Sequence, residues 1–292
     1  MLEIDLNKLR KDWEIGDDQR DQGLSKHPEG VIRYDDLAYG EDGTNNLFDI
    51  YLPDTDQKIF PLIVNIHGGG YFYGDKERYQ YYCLSLAKKS FGVVNFNYHL
   101  APENPYPAAL NDVDQMMHWL ADHGEDYKLD TDKICLTADS AGAQLAEQYM
   151  TIMINDDFRK LFAYTKANVH IVAAALNSGL YFLQNQGTIS NELTAYFGNN
   201  ALEKWGEQLA TEKYITKDFP PVYLATAIDD FLKNKAIELN DFLKKNGNDT
   251  QLHIFGDRNH SEGHVFHLNL RDNLAQKCND EEIAFFKKQL LK

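Results

Sequence analysis

The chain has 292 residues, 43% of them hydrophobic, and a formal net charge of −16 at pH 7, enough length and apolar content to bury a sizeable α/β core. The carboxylate surplus, with no Lys/Arg cluster, excludes the phosphate-neutralising face that nucleic-acid binding needs and disfavours an anionic membrane surface. No apolar run approaches the ~20 residues of a membrane span.

The opening stretch "MLEIDLNKLRKDWEIGDDQRD" alternates charges and lacks the apolar core of a signal peptide. Three cysteines (Cys83, Cys135, Cys278) show no C-x-x-C spacing, so neither a disulfide framework nor a zinc ribbon is expected. Cys135, in an apolar run, reads as core. A soluble cytoplasmic protein is expected. "NNLFDIYLP" (45–53) alternates like a strand after the turn signal "EDGTNN" (41–46), which suggests a hairpin. "PLIVNI" (61–66) is a continuous β-branched run, as in a strand buried on both faces. Apolar residues at helical spacing over 77–90 precede a second buried strand over 92–98.

A helix over 109–124 stops at a glycine, and "DKICLTA" (132–138) is a strand that runs directly into a helix over 140–154. Three further strands are predicted over 169–176, 221–227 and 249–255, with a glycine-closed helix over 229–247 and a final amphipathic helix over roughly 280–291. Such alternation means a mostly parallel sheet with helices on both faces, in a single α/β domain spanning residues 1–292. Residues 1–30 and 179–219 do not fit the alternation. An insertion leaving the carboxyl end of a strand is placed to cover a ligand site, so both segments are candidate cap or lid elements.

Chemistry concentrates in two places. "IHGGGYFYG" (66–74) follows a buried strand, and its glycines can turn backbone N–H groups toward one point, as an oxyanion site requires. A plain glycine turn remains an alternative, whereas the G-x-G-x-x-G and P-loop patterns are absent. In "LTADSAGAQLA" (136–146), Ser140 stands where strand meets helix, with small residues two before and two after it. That is the layout of a nucleophile elbow, in which the Ala141 N–H becomes an oxyanion donor. An N-capping serine would look similar. The order of the polar residues further down the chain separates the two, because a serine nucleophile needs a histidine base, itself oriented by a carboxylate. Asp230 lies just past the strand 221–227 and His264 in the loop after 249–255, which matches the Ser, acid, His order of α/β-hydrolases.

At this point "HGGGYFYG" (67–74), "YHLAPENPYPAALND" (98–112), "DSAGAQLA" (139–146), "PPVYLATAIDDFLKNKA" (220–236) and "GHVFHLN" (263–269) together resemble the hormone-sensitive-lipase-like esterases of the α/β-hydrolase superfamily over roughly residues 30–290. The resemblance implies the α/β-hydrolase fold. By position it places the nucleophile on Ser140, the acid on Asp230, the base on His264, and the oxyanion donors on the N–H groups of Gly69, Gly70 and Ala141, with His67 organising the glycine loop. Two departures stand out. Ala138 replaces the usual first elbow glycine. "DDFL" replaces Asp-Pro-Leu, which leaves a choice between Asp229 and Asp230, in which alignment on Leu232 favours Asp230. His264 is favoured over His267 because the family pattern is His-x-Phe, with Phe266 packing beneath the loop.

His253, His260, His264 and His267 crowd one stretch, but its composition is that of a loop without the H-E-x-x-H arrangement, so no metal is expected. The expected reaction is two-step acyl transfer from a short-chain ester, with no cofactor. A small-molecule ester is the expected partner, and "YFYG" with "YFG" (196–198) would supply an apolar acyl pocket. Deacetylation of acetylated sugars, amide hydrolysis and a non-catalytic binding role on the same fold are the alternatives. A homodimer through sheet edges or outer helices stays open.

Overall fold

A computed structural model describes residues 5–185 and 187–292, so residues 1–4 and 186 of the two candidate cap segments lie outside the described residues. The elements in chain order are α1 (Leu6–Asp21), β1 (Val31–Ala38), β2 (Leu47–Pro53), β3 (Phe60–Ile66), α2 (Lys76–Ala87), β4 (Gly92–Phe96), α3 (Ala108–His123), β5 (Leu129–Asp139), α4 (Ser140–Ile154), α5 (Asp156–Lys160), β6 (Ile171–Asn177), α6 (Thr194–Phe197), α7 (Ala201–Trp205), β7 (Val222–Ala227), α8 (Lys233–Lys245), β8 (Thr250–Phe255) and α9 (Asn273–Leu290).

The strands form one eight-stranded sheet in the order β1-β2-β4-β3-β5-β6-β7-β8. β1 and β2 are antiparallel, β2 pairs antiparallel with β4, and every other pairing is parallel. This is the mostly parallel, helix-covered sheet that the alternation predicts. Successive side chains go to opposite faces. Leu62, Val64, Leu136 and Leu176 thus join one core with Leu110, Met116, Leu145 and Leu239. Ile63, Val93, Cys135 and Ala175 join a second core with Cys83, Leu86, Ile283 and Phe286. Burial on both faces explains why these strands read as unbroken apolar runs instead of alternating ones. Ile66 pairs with Ala138 and Asp139 with Asn177, so β3, β5 and β6 end side by side and their succeeding loops emerge together.

Several boundaries differ from expectation. Residues 1–30 hold α1, a sixteen-residue helix capped by the Asp5 side chain. Its charged face obscures the weak stripe of Leu6, Leu9 and Trp13. β1 supplies the hairpin partner that the 41–46 turn implies. The helix expected from 229 begins only at Lys233, because residues 228–232 form a turn in which Asp230 accepts the Leu232 N–H at 2.8 Å. α9 starts at Asn273 instead of near 280, where Asp272 caps the N–H groups of Leu274 and Ala275. Among the described residues, no helix is long and apolar enough to cross a membrane. The three cysteines are buried and unpaired.

Candidate active site

Ser140 is the first residue of α4, and its φ of +49° is left-handed, a conformation that costs a residue with a Cβ and turns up at tight functional bends. The bend requires α4 to lie close to the end of β3. A Cβ on Gly142 would sit 2.1 Å from the Ile66 carbonyl oxygen, so only glycine fits. Ala138, buried within β5 and paired across to Ile66, is accommodated without displacing the turn. The departure from two glycines is therefore tolerated where the side chain stays in the strand.

From the loop after β8, His264 Nε2 lies 3.0 Å from Ser140 Oγ. His264 Nδ1 lies 2.9 Å from Asp230 Oδ1. A carboxylate only accepts, so Nδ1 carries the proton and Nε2 presents its lone pair to the serine hydroxyl. Asp230 Oδ2 accepts from the Thr226 hydroxyl at 3.0 Å, and Oδ1 also accepts the Leu232 N–H. Burial alone would raise the Asp230 carboxyl, but the hydrogen bond and charge of His264, the Ser178 hydroxyl and the Leu232 N–H together hold it down at about 2. It is ionised at any working pH. Asp229 turns the other way, its carboxylate accepting from Ser261, so of the two aspartates it is Asp230 that contacts His264.

The glycine loop faces the same point. Gly69 has φ +103°, and a Cβ there would lie 2.0 Å from the Tyr73 carbonyl oxygen. The Gly68 N–H is taken by Asp139 Oδ1 at 3.1 Å and by the Tyr79 hydroxyl at 3.0 Å. Among the described residues, the N–H groups of Gly69 and Gly70 donate to no protein acceptor, and both residues line the cavity with Ser140 and Ala141. His67 is buried behind the loop. Its Nδ1–H donates to the Gly68 carbonyl at 2.8 Å, and its ring stacks on Tyr98 with centroids 4.0 Å apart. Burial, only partly offset by that hydrogen bond, lowers its pKa to about 4, so it stays neutral.

Sequence reasoning missed the supporting polar residues. Asp139, directly before the serine, is fully buried. Burial raises its carboxyl to about 7 against the pull of the Tyr79 hydroxyl, His264 and the Gly68 N–H. Ser178 Oγ, just past β6, accepts the Val265 N–H at 3.2 Å and so ties the histidine loop to the sheet. Both stand at the carboxyl end of a strand, and that position was the available signal.

The cavity at Ser140 has a volume of about 770 Å³. Its walls include Trp13, Gly16 and Arg20 of α1, Leu180, Ser190 and Leu193 of the 179–219 segment, and Phe72 and Tyr73 of the glycine loop. The remaining aromatics expected at an acyl pocket lie elsewhere. Tyr71 and Tyr196 stack on each other, 4.4 Å between centroids, and are buried with Phe197 behind the cavity wall. The crowded histidines also disperse. His253 pairs with Glu281 and His260 with Asp272 and Glu262, while His267 is buried edge-on to Tyr82. Phe266 packs against Phe255 under the loop.

With this geometry in view, a family model described as BD-FAE matches residues 48–236. The chain belongs to the BD-FAE family. Its motifs resemble those of the hormone-sensitive-lipase-like carboxylesterases, and proteins named esterase and carboxylesterase are among those it is similar to. This BD-FAE chain is 39% identical over 127 residues to esterase LipI of Mycobacterium tuberculosis, a match covering 41% of this chain and 38% of LipI. It is 27% identical over 215 residues to versiconal hemiacetal acetate esterase of Dothistroma septosporum, covering 68% of this chain and 65% of that protein. The matches to esterases LipI and LipQ of M. tuberculosis span less than half of those proteins, 38% and 49%. Among solved structures, esterase B from Lactobacillus rhamnosis superposes with a TM-score of 0.88 at 21% identity, covering 97% of this chain and 95% of that one. At that identity the likeness concerns the fold.

Proposed function

We propose that the protein is a serine carboxylester hydrolase acting on small esters with short acyl chains. The observation that carries this is the line Ser140–His264–Asp230, with hydrogen-bond distances of 3.0 and 2.9 Å and a tautomer that leaves Nε2 free to accept. In this reading Ser140 Oγ attacks the ester carbonyl carbon while His264 Nε2 takes the hydroxyl proton. Asp230, ionised and held by Thr226 and Leu232, stabilises the imidazolium that results. The negative oxygen of the tetrahedral intermediate rests on the N–H groups of Gly69, Gly70 and Ala141, each worth roughly 3 kcal/mol of transition-state stabilisation. His264 returns the proton to the departing alcohol. Water then attacks the acyl-enzyme by the same base, restoring the serine.

The names of the relatives, esterases and carboxylesterases, and the tributyrin-phosphonate-inhibited form of esterase B support the same chemistry. α1 and residues 188–193 serve as the cap over the cavity in this reading, since both contribute to its walls. Three buried, unpaired cysteines suit a reducing compartment, and we place the enzyme in the cytoplasm. Turnover of p-nitrophenyl esters with acyl chains of two to ten carbons tests the substrate class. Activity falling with chain length supports it, and activity rising with chain length contradicts it.

A further inference from the structure

Phe231 is the most exposed aromatic ring among the described residues, with 76% of its surface open. It belongs to neither core, whereas its neighbour Leu232 packs against one. An open phenylalanine gains little from burial, and what sets this one apart is the group it touches. Its ring centroid lies 4.3 Å from that of the His264 imidazole, with the planes 39° apart, and it lines the Ser140 cavity. The turn that holds it there is the one that aims Asp230. Asp230 accepts the Leu232 N–H at 2.8 Å, and its backbone carbonyl accepts the Lys233 N–H at 3.1 Å. One four-residue turn, 230–233, therefore delivers a carboxylate to the edge of the imidazole and an aromatic ring to its side.

Resting on the esterase reading, we propose that Phe231 is a positioning residue that stabilises the His264 imidazolium and holds the ring in line between Asp230 and Ser140. The π face of an aromatic ring attracts a cation within about 6 Å of its centroid and has little preference for the neutral imidazole. In both chemical steps His264 is positively charged only near the tetrahedral intermediate. The attraction is then realised in the transition state and not in the ground state, so it raises kcat and leaves substrate binding alone. The other cation in this cavity, Arg20, is occupied by Asp17 and Asp21 and does not compete for the ring.

The test is kcat and KM for p-nitrophenyl acetate, butyrate and hexanoate in wild type, Phe231→Leu, Phe231→Ala, Phe231→Tyr and Phe231→Trp, with Ser140→Ala run alongside. Because the side chain is exposed, all four Phe231 variants should fold, and a thermal melt verifies it. The expected result is a kcat lowered about two- to five-fold in the leucine and alanine variants for every ester, KM unchanged, and recovery in the tyrosine and tryptophan variants. A leucine variant as fast as wild type would overturn the proposal, because an apolar side chain of similar size would then suffice. So would a loss carried in KM that grows with acyl length, which would make Phe231 a substrate contact. Wild-type turnover equal to that of Ser140→Ala would instead overturn the esterase reading on which the proposal rests.

Discussion

Ser140 Oγ and His264 Nε2 stand 3.0 Å apart although 124 residues separate them in the chain. The sheet makes this meeting possible, since Ser140 comes directly after β5 and His264 after β8 at the same carboxyl edge. Asp230 completes the line from the turn after β7. Replacing Asp230 with asparagine should lower kcat by about four orders of magnitude through a mis-set histidine tautomer. Replacing Asp229, whose carboxylate contacts Ser261, should leave it nearly unchanged. Steady-state rates of the two variants decide the assignment, and an inactive Asp229→Asn with an active Asp230→Asn would reverse it.

The elbow makes unequal demands on its two small flanking residues. A Cβ at position 142 would meet the Ile66 carbonyl oxygen at 2.1 Å, so Gly142→Ala should abolish turnover or folding. Ala138→Gly should keep activity and lose about 0.5–1 kcal/mol of stability from the freer backbone. Urea titration alongside an activity assay checks both. An active, stable Gly142→Ala would show that α4 can retreat from β3.

α1 contributes Trp13 to the cavity wall, where its ring stacks on Phe72 at 5.1 Å between centroids. Trp13→Ala should raise KM for butyrate roughly three- to ten-fold, the scale of one lost aromatic contact, with kcat largely kept. Equal KM values in variant and wild type would remove α1 from substrate binding.

Glu282 of α9 is fully buried, accepting from the Tyr82 hydroxyl at 3.0 Å and the Asn177 amide at 3.2 Å. Burial raises its carboxyl to about 7, even against the opposing hydrogen bonds of Thr137, Asn177 and Tyr82. Its folded value lies above the unfolded value near 4.3. The folded chain therefore keeps a proton that the unfolded chain releases. The contribution of Glu282 to stability should be greatest below about pH 4, fall as pH rises to about 7, and level off above that. The change is on the order of 4 kcal/mol at most, at about 1.4 kcal/mol per pH unit. Asp139, also raised to about 7, acts in the same window. Urea midpoints between about pH 4.5 and 8, the range that brackets this titration, should show a shallower decline in Glu282→Gln than in wild type, and identical slopes would contradict this.

The sheet, and the gathering of Ser140, Asp230 and His264 at one edge of it, were legible because each depends on local composition or chain order. Buried strands such as 61–66 announce themselves by β-branched runs, and Ser140 and Asp230 come after buried strands, whereas His264 follows β8, a partly exposed strand at the sheet's edge. What the sequence hid depended on contacts between distant segments. Nothing in "LNKLRKDWEIGDDQRD" shows that Trp13 reaches Phe72 or that Arg10 reaches the Phe72 and Ala101 carbonyls. The start of α8 is invisible in the pattern because helical spacing runs smoothly through 229–232, whereas the Asp230 carboxylate captures the Leu232 N–H and makes a turn. Tyr196 and Phe197 have the composition of pocket residues, but they are buried, Tyr196 stacked on Tyr71 and Phe197 tilted against Tyr106.

The most direct measurement is hydrolysis of p-nitrophenyl butyrate by wild type and Ser140→Ala, with mass mapping of the adduct left by a serine-directed phosphonate. Turnover abolished by the substitution, together with a single adduct on Ser140, is the expected result. A folded wild type with neither turnover nor adduct, or an adduct on another serine, would contradict the assignment of Ser140 as the nucleophile.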